Sequence, residues 1–90
     1  MSEIARSVLI TNKRGLHARA SAKFVTLAAQ QPLAVHVEKD GNRVTGTSIM
    51  GLMMLGAAMG DTVTICAAGE GADQAVDALA ALIEAKFGED

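Results

Sequence analysis

The pair Asp40-Gly41, set between Leu33-Ala34-Val35-His36-Val37 and Arg43-Val44-Thr45, does most to limit what this chain can become. Asp-Gly suits the two-residue type I′ turn, whose backbone twist matches that of two antiparallel strands. Before it, Leu33, Val35 and Val37 alternate with Ala34, His36 and Glu38, the pattern of a half-buried strand. The second and third strands of the chain are therefore expected to form an antiparallel hairpin, with the third ending at Gly46.

The flanking segments supply the remaining elements. From Ile4 to Thr11, Val8 and Ile10 mark a first strand, and Asn12-Lys13-Arg14-Gly15 then breaks it with turn formers. Leu16, Ala20, Phe24, Leu27 and Ala28 recur at helical spacing until Pro32, which puts His17 in the first turn of that helix. Ser48 fits an N-cap before Ile49-Met50-Gly51-Leu52-Met53-Met54-Leu55. Gly51 stands where a capping box would have Glu or Gln, so this second helix is expected to be short and held by packing, with Gly56 and Gly60 framing its exit. Asp61 to Ala67 alternates again as a fourth strand, and Gly69-Glu70-Gly71 turns the chain. Ala72, Val76, Leu79, Ala80, Ile83 and Phe87 then form one stripe of a last helix, with Gly88 as its terminator. The order βαββαβα in 90 residues predicts one α+β domain over 1–90, a two-layer open-faced sandwich with its helices on one face of an antiparallel sheet.

Half of the residues are apolar, but Phe24 and Phe87 are the only aromatics, so the core must be built from aliphatic and small side chains that let helix and sheet approach closely. Cys66 is the only cysteine, which excludes an intrachain disulfide and fits a reducing compartment; the thiol itself reads as a small strand residue. No apolar run reaches the roughly 18 residues of a membrane span, and Met1-Ser2-Glu3-Ile4-Ala5-Arg6 lacks the order of a secretory signal, so a cytoplasmic protein without membrane insertion is expected. The net charge of −2 and the scarcity of aromatics argue against a nucleic-acid partner. Two histidines and one cysteine at no ligand spacing imply no metal, and the lack of a Walker-type loop implies no nucleotide or other cofactor.

Chemistry concentrates at Gly15-Leu16-His17-Ala18-Arg19, with Lys13, Arg14 and Lys23 nearby. Unpaired N–H groups at a helix start attract anions, a neutral imidazole is a competent nucleophile toward phosphorus, and Arg19 can grip phosphoryl oxygens in a fork. A histidine in a loop is commonly without function, and His36, mid-strand on the polar face, is given none. The cluster Ile49, Met50, Leu52, Met53, Met54, Leu55 is in part the buried side of a short helix, yet it exceeds what one face can bury, which leaves a docking patch as its second reading. Ser48 is either a structural cap or a modification site whose phosphate would add about −2 charge beside that patch. A small anion- or metabolite-binding regulatory domain without covalent transfer fits the basic loop as an alternative.

Two segments in register, Gly15-Leu16-His17-Ala18-Arg19 and Thr47-Ser48-Ile49-Met50-Gly51-Leu52-Met53-Met54-Leu55-Gly56, resemble the signature regions of the HPr family, the histidine-containing phosphocarriers of the bacterial phosphoenolpyruvate-dependent phosphotransferase system. The resemblance runs over nearly the whole chain. It implies a four-stranded antiparallel sheet in the order 1-4-2-3 with three helices on one face. It further implies that His17 accepts a phosphoryl group on Nδ1 from phosphorylated enzyme I, assisted by Arg19, and passes it to EIIA domains in sugar uptake or carbon–nitrogen regulation. Such a protein is a carrier and not an enzyme. Ser48 resembles the serine modified by the ATP-dependent HPr kinase/phosphorylase, and Ala18, Ala22, Ile49, Met50 and Met53 correspond to the partner-docking surface. A monomer is expected, with His17 exposed to its partners. Many members carry proline after the arginine, whereas this chain has Ala20, which keeps an N–H in the first turn and frees its φ.

Overall fold

Alternation along the strands decides which face meets the helices. Val8 of β1 (Glu3–Leu9), Val35 and Val37 of β2 (Val35–Lys39), and Val63, Ile65 and Ala67 of β4 (Thr62–Ala68) are buried, while their neighbours point to the opposite face. With β3 (Asn42–Thr45), these form one antiparallel sheet in the order β1-β4-β2-β3. The register pairs Val8 with Val63, Val37 with Ile65, and Lys39 with Asn42. Asp40 and Gly41 have φ of 52° and 83°, so both central hairpin residues are left-handed, as a type I′ turn requires. The computed structural model describes residues 2–89; Met1 and Asp90, the ends of the expected domain, lie outside them.

Helices α1 (Ala18–Ala29), α2 (Ile49–Met54) and α3 (Ala72–Glu84) complete the expected order. α3 packs across β1 and β4, and α1 lies against both α2 and α3. Ala20, Ala28, Ala72, Ala75 and Ala80 are all buried, and their small side chains let these layers approach closely around Phe24, Ile65, Leu79 and Phe87. No helix among the described residues is long and apolar enough to cross a membrane.

Three boundaries differ most from the sequence expectation. β1 ends at Leu9 and not Thr11, although Ile10 still exchanges hydrogen bonds of 2.8 Å with Asp61 and Gly60. β2 starts at Val35, two residues later than the alternation suggests. The larger difference is at α3, which stops at Glu84; Lys86–Gly88 forms a short 3₁₀ turn in which Lys86, Phe87 and Gly88 have φ of 58°, 56° and 77°. The stripe residue Phe87 is buried as its spacing suggests, but it gets there from a left-handed turn. That turn swings the following residues back toward the start of α1, where Lys23 Nζ donates to the Phe87 carbonyl at 2.7 Å.

On the open face of the sheet, Arg43 of β3 donates to Glu38 of β2 at 2.6 Å and to Glu3 of β1 at 2.7 Å. The two strands between β3 and β1 are thereby bridged, and Cys66, on β4, is almost wholly buried although it belongs to this face. Burial, followed by the Glu38 charge, pushes the Cys66 thiol above its ordinary value against the pull of Arg43. Sequence spacing does not show that ligand atoms of Glu3, Glu38 and Cys66 come within 4.8 Å of one another; the cation bonded to the two carboxylates is Arg43. His36 is on the same face and half-buried. The bridge predicts that Cys66 reacts slowly with a water-soluble thiol reagent, and that Arg43→Ala accelerates labelling several-fold; equal rates would show that the strands alone protect it.

Candidate functional site

Gly15 sets where the first helix can begin. Its φ is +60°, and a Cβ placed on it would stand 2.3 Å from the Ala57 carbonyl oxygen, so both conformation and space demand glycine. The next residue, Leu16, donates its N–H to that same carbonyl at 3.0 Å and buries its side chain. Ser21, also fully buried, returns a hydroxyl hydrogen bond to the Leu16 carbonyl at 3.1 Å. The loop before α1 is therefore fixed from both sides, and His17 follows as the N-cap.

His17 has extended backbone (φ −73°, ψ −179°) and its carbonyl accepts the Ser21 N–H at 2.9 Å. Its Nδ1 accepts the Arg19 backbone N–H at 3.2 Å, the bond that a Ser, Asp or Asn cap would ordinarily take. A nitrogen that accepts carries no proton, so the ring hydrogen belongs on Nε2. There it faces Glu89 Oε2 at 2.7 Å. The imidazole side chain is 16% exposed and that of Glu89 20%, which corrects the expectation of a freely exposed histidine: one edge is covered by the returning C-terminal segment.

Glu89 is the site residue that sequence reasoning missed. It lies 72 positions from His17 and beyond the helical stripe, and it reaches the ring only because Phe87 and Gly88 are left-handed. Asn12 is the second omission: read as a turn former, it is wholly buried and donates from Nδ2 to the Gly15 carbonyl at 2.9 Å and to Glu89 Oε1 at 3.1 Å. Partial burial pushes the Glu89 carboxyl upward, but the hydrogen bonds from His17 and Asn12 and the nearby charge of Lys23 hold it below the ordinary 4.5.

Lys13, Arg14, Arg19 and Lys23 line, with Gly88 and Glu89, a depression of about 410 Å³ beside this group. Arg19 is exposed and stands over the first turn of α1. Ala20, where proline is common in the resembled family, is fully buried against the core, so its methyl group serves packing. The arrangement offers an anion a cationic rim and a helix N-terminus, beside a ring nitrogen held unprotonated.

Ser48 caps α2, its Oγ accepting the Gly51 N–H at 3.0 Å. A Cβ on Gly51 would lie 3.1 Å from both Ser48 Oγ and Val44, which explains why no capping-box side chain stands there. Of the apolar cluster that follows, Leu52 and Leu55 are buried, while Ile49, Met50, Met53 and Met54 are exposed and line a groove of about 560 Å³. The residues expected to dock partners thus divide. Ile49, Met50 and Met53 lie together, Ala18 is exposed in the first turn of α1, and half-buried Ala22 lines a separate groove with Lys23, Thr26 and Leu82. No metal-ligating group of the His–Cys type forms at His17 among the described residues.

Residues 4–85 match the family model described as the PTS HPr component phosphorylation site. A phosphocarrier protein HPr of Cupriavidus necator is 48% identical over 86 residues, spanning 96% of this chain and 97% of that protein. A phosphocarrier protein NPr of Shewanella violacea is 40% identical over 89 residues, spanning 99% and 98%. The crystal structure of HPr-C-His from Thermoanaerobacter tengcongensis superposes with a TM-score of 0.89 at 44% identity, covering 100% of this chain and 99% of that one.

Two outcomes follow from the geometry. Gly15→Ala should destabilise the fold by about 2–4 kcal/mol, more than the roughly 1–2 kcal/mol that a left-handed alanine costs by itself. Gly56→Ala, at φ +65° with open space around it, should show only that smaller cost; equal melting temperatures for the two variants would contradict the close approach at Ala57. Because the folded carboxyl of Glu89 is depressed, its stabilisation is present above the unfolded value near 4.5 and is lost as pH falls through the folded value. Wild type should therefore melt higher than Glu89→Gln at neutral pH, with the gap closing in strong acid; a gap independent of pH would refute this.

Proposed function

The chain belongs to the HPr family of phosphocarriers of the phosphotransferase system, and from that premise we propose that His17 receives a phosphoryl group on Nδ1 from phosphorylated enzyme I and passes it to EIIA domains. The observation that carries this reading is the hydrogen bond from the Arg19 N–H to Nδ1, since a cap acceptor is by definition a lone pair directed at an anion-favouring helix end.

The chemistry follows from that exchange of roles. The Nδ1 lone pair forms a bond to phosphorus while the bond between phosphorus and the donor's leaving nitrogen breaks, and the electron pair of that bond departs with the donor. As Nδ1 is consumed, the Arg19 N–H loses its acceptor and a phosphoryl oxygen takes its place. The Nε2 hydrogen stays on the ring against Glu89, whose negative charge offsets the positive charge that the imidazole acquires. Arg19, with Lys13, Arg14 and Lys23 around it, supplies the fork and the field for the dianionic group. Reversal of the same steps delivers the group onward, so the protein acts as a carrier between enzymes.

Partners are received on Ala18, Ala22, Ile49, Met50 and Met53, with Met54 extending the apolar groove. Exposed methionines suit this use because they adapt to surfaces of different shape. The carrier works in the cytoplasm as a monomer. Ser48 is the regulatory position: a phosphate added by HPr kinase/phosphorylase would place about −2 charge beside that groove and displace the Gly51 N–H from its cap acceptor.

Phosphoenolpyruvate and enzyme I should label the wild-type protein with acid-labile phosphate and leave His17→Ala unlabelled. Arg19→Ala should still fold but accept the group roughly ten- to hundredfold more slowly, in line with the loss of a positioned charged donor. Labelling of His17→Ala at the wild-type level would instead favour a metabolite-binding domain with adventitious phosphorylation elsewhere.

A further inference from the structure

Asn12 is the buried polar group whose presence packing does not explain. It is fully inaccessible, yet its Oδ1 has no hydrogen-bond partner among the described residues, a deficiency that destabilises a folded protein. Rotating the amide does not cure this, because Oδ1 would then face the Gly15 carbonyl and the Glu89 carboxylate, two acceptors. What Asn12 does accomplish lies on its nitrogen, which joins the turn before His17 to the carboxylate behind it.

We propose that Asn12 is a positioning residue for phosphoryl acceptance: it holds Glu89 by one oxygen so that the other oxygen fixes the His17 ring through Nε2. This rests on the carrier reading above and deepens it. The carboxylate cannot hold itself in place, for it sits past Lys86 and Phe87, two non-glycine residues held in the strained left-handed region. Burial of Phe87 and the Lys23 hydrogen bond to its carbonyl anchor that turn, and Asn12 aims the side chain that follows. Glu89 meets the ring from the C-terminal segment, and it shares its depression with Arg19 and Lys23 from α1 and Lys13 and Arg14 from the preceding loop. Glu89 is the only anion among them, so the cations compete with the ring for its carboxylate, and its position decides whether Nε2 keeps a partner. Freed of Asn12, Glu89 would pair with the surrounding cations and leave the ring to turn about its χ angles, misaligning Nδ1 with the N-terminus of α1.

The test uses the unphosphorylated protein first. In wild type, the His17 Nε2–H should be visible by proton–nitrogen NMR, protected from exchange with water by its bond to Glu89. In Asn12→Ala that proton should exchange at least about tenfold faster or disappear, as it should in Glu89→Ala, with the chain still folded by circular dichroism. Asn12→Asp, nearly isosteric but without the N–H donors, should behave as Asn12→Ala does and serves if the alanine variant fails to fold. Acceptance from enzyme I should then fall roughly ten- to hundredfold in either single variant and no further in the double variant, since both act through one contact. Persistence of the protected N–H in both Asn12 variants, or losses that multiply in the double variant, would overturn the proposal. If wild type shows the protected N–H but takes no phosphate, the carrier reading fails while the positioning of the ring stands.

Discussion

The contact between Gly15 and the Ala57 carbonyl is the constraint on which the functional end of this molecule depends. A residue with any side chain would collide there, and a residue with ordinary φ would send the chain elsewhere. Given that contact, Leu16 bonds to the same carbonyl and enters the core, and His17 follows as the cap from which α1 starts. The loop after α2 is thereby tied to the loop before α1, so the apolar groove of Ile49, Met50, Met53 and Met54 belongs to the same end of the fold as the histidine. One close approach of two backbones thus sets the positions of both the proposed phosphoryl acceptor and the proposed docking groove.

Making a histidine the cap has a chemical consequence that an aspartate or serine cap would not. The cap position needs an acceptor, and the acceptor of an imidazole is also its nucleophilic atom. Ground-state structure and reactivity therefore use one lone pair, and the helix end that it satisfies is the one that would bind the transferred group. The opposite edge of the ring is closed by Glu89, which makes the site a sandwiched ring and not a projecting one. Such an arrangement limits the ring's freedom before any partner arrives, which reduces the entropy lost on reaching the transferring geometry.

Much of this was legible in the sequence because it is written in local patterns. Asp40-Gly41 specified the hairpin, the alternation of Val63 and Ile65 specified a strand with one buried face, and the stripe through Leu16, Ala20 and Phe24 put a helix start at His17. The order of the strands followed from resemblance and not from any local signal, since β1 and β4 pair across more than fifty residues of intervening chain. The Asn12–Glu89–His17 chain was illegible for a related reason. Its members are far apart in sequence, and the turn that unites them breaks a helical stripe at Phe87 that would otherwise read straight through. Arg43 over Cys66 was hidden likewise, since its bond to Glu3 spans 40 positions.

The capping nitrogen of His17 is the atom proposed to carry the phosphoryl group. Phosphorus–nitrogen NMR on the protein labelled with nitrogen-15 in histidine and phosphorylated by enzyme I tests it most directly, because coupling across the P–N bond identifies the substituted nitrogen. Coupling to Nδ1 of His17, with the hydrogen retained on Nε2, is the expected result. Coupling to Nε2, or phosphate on His36 or any other residue, would contradict it.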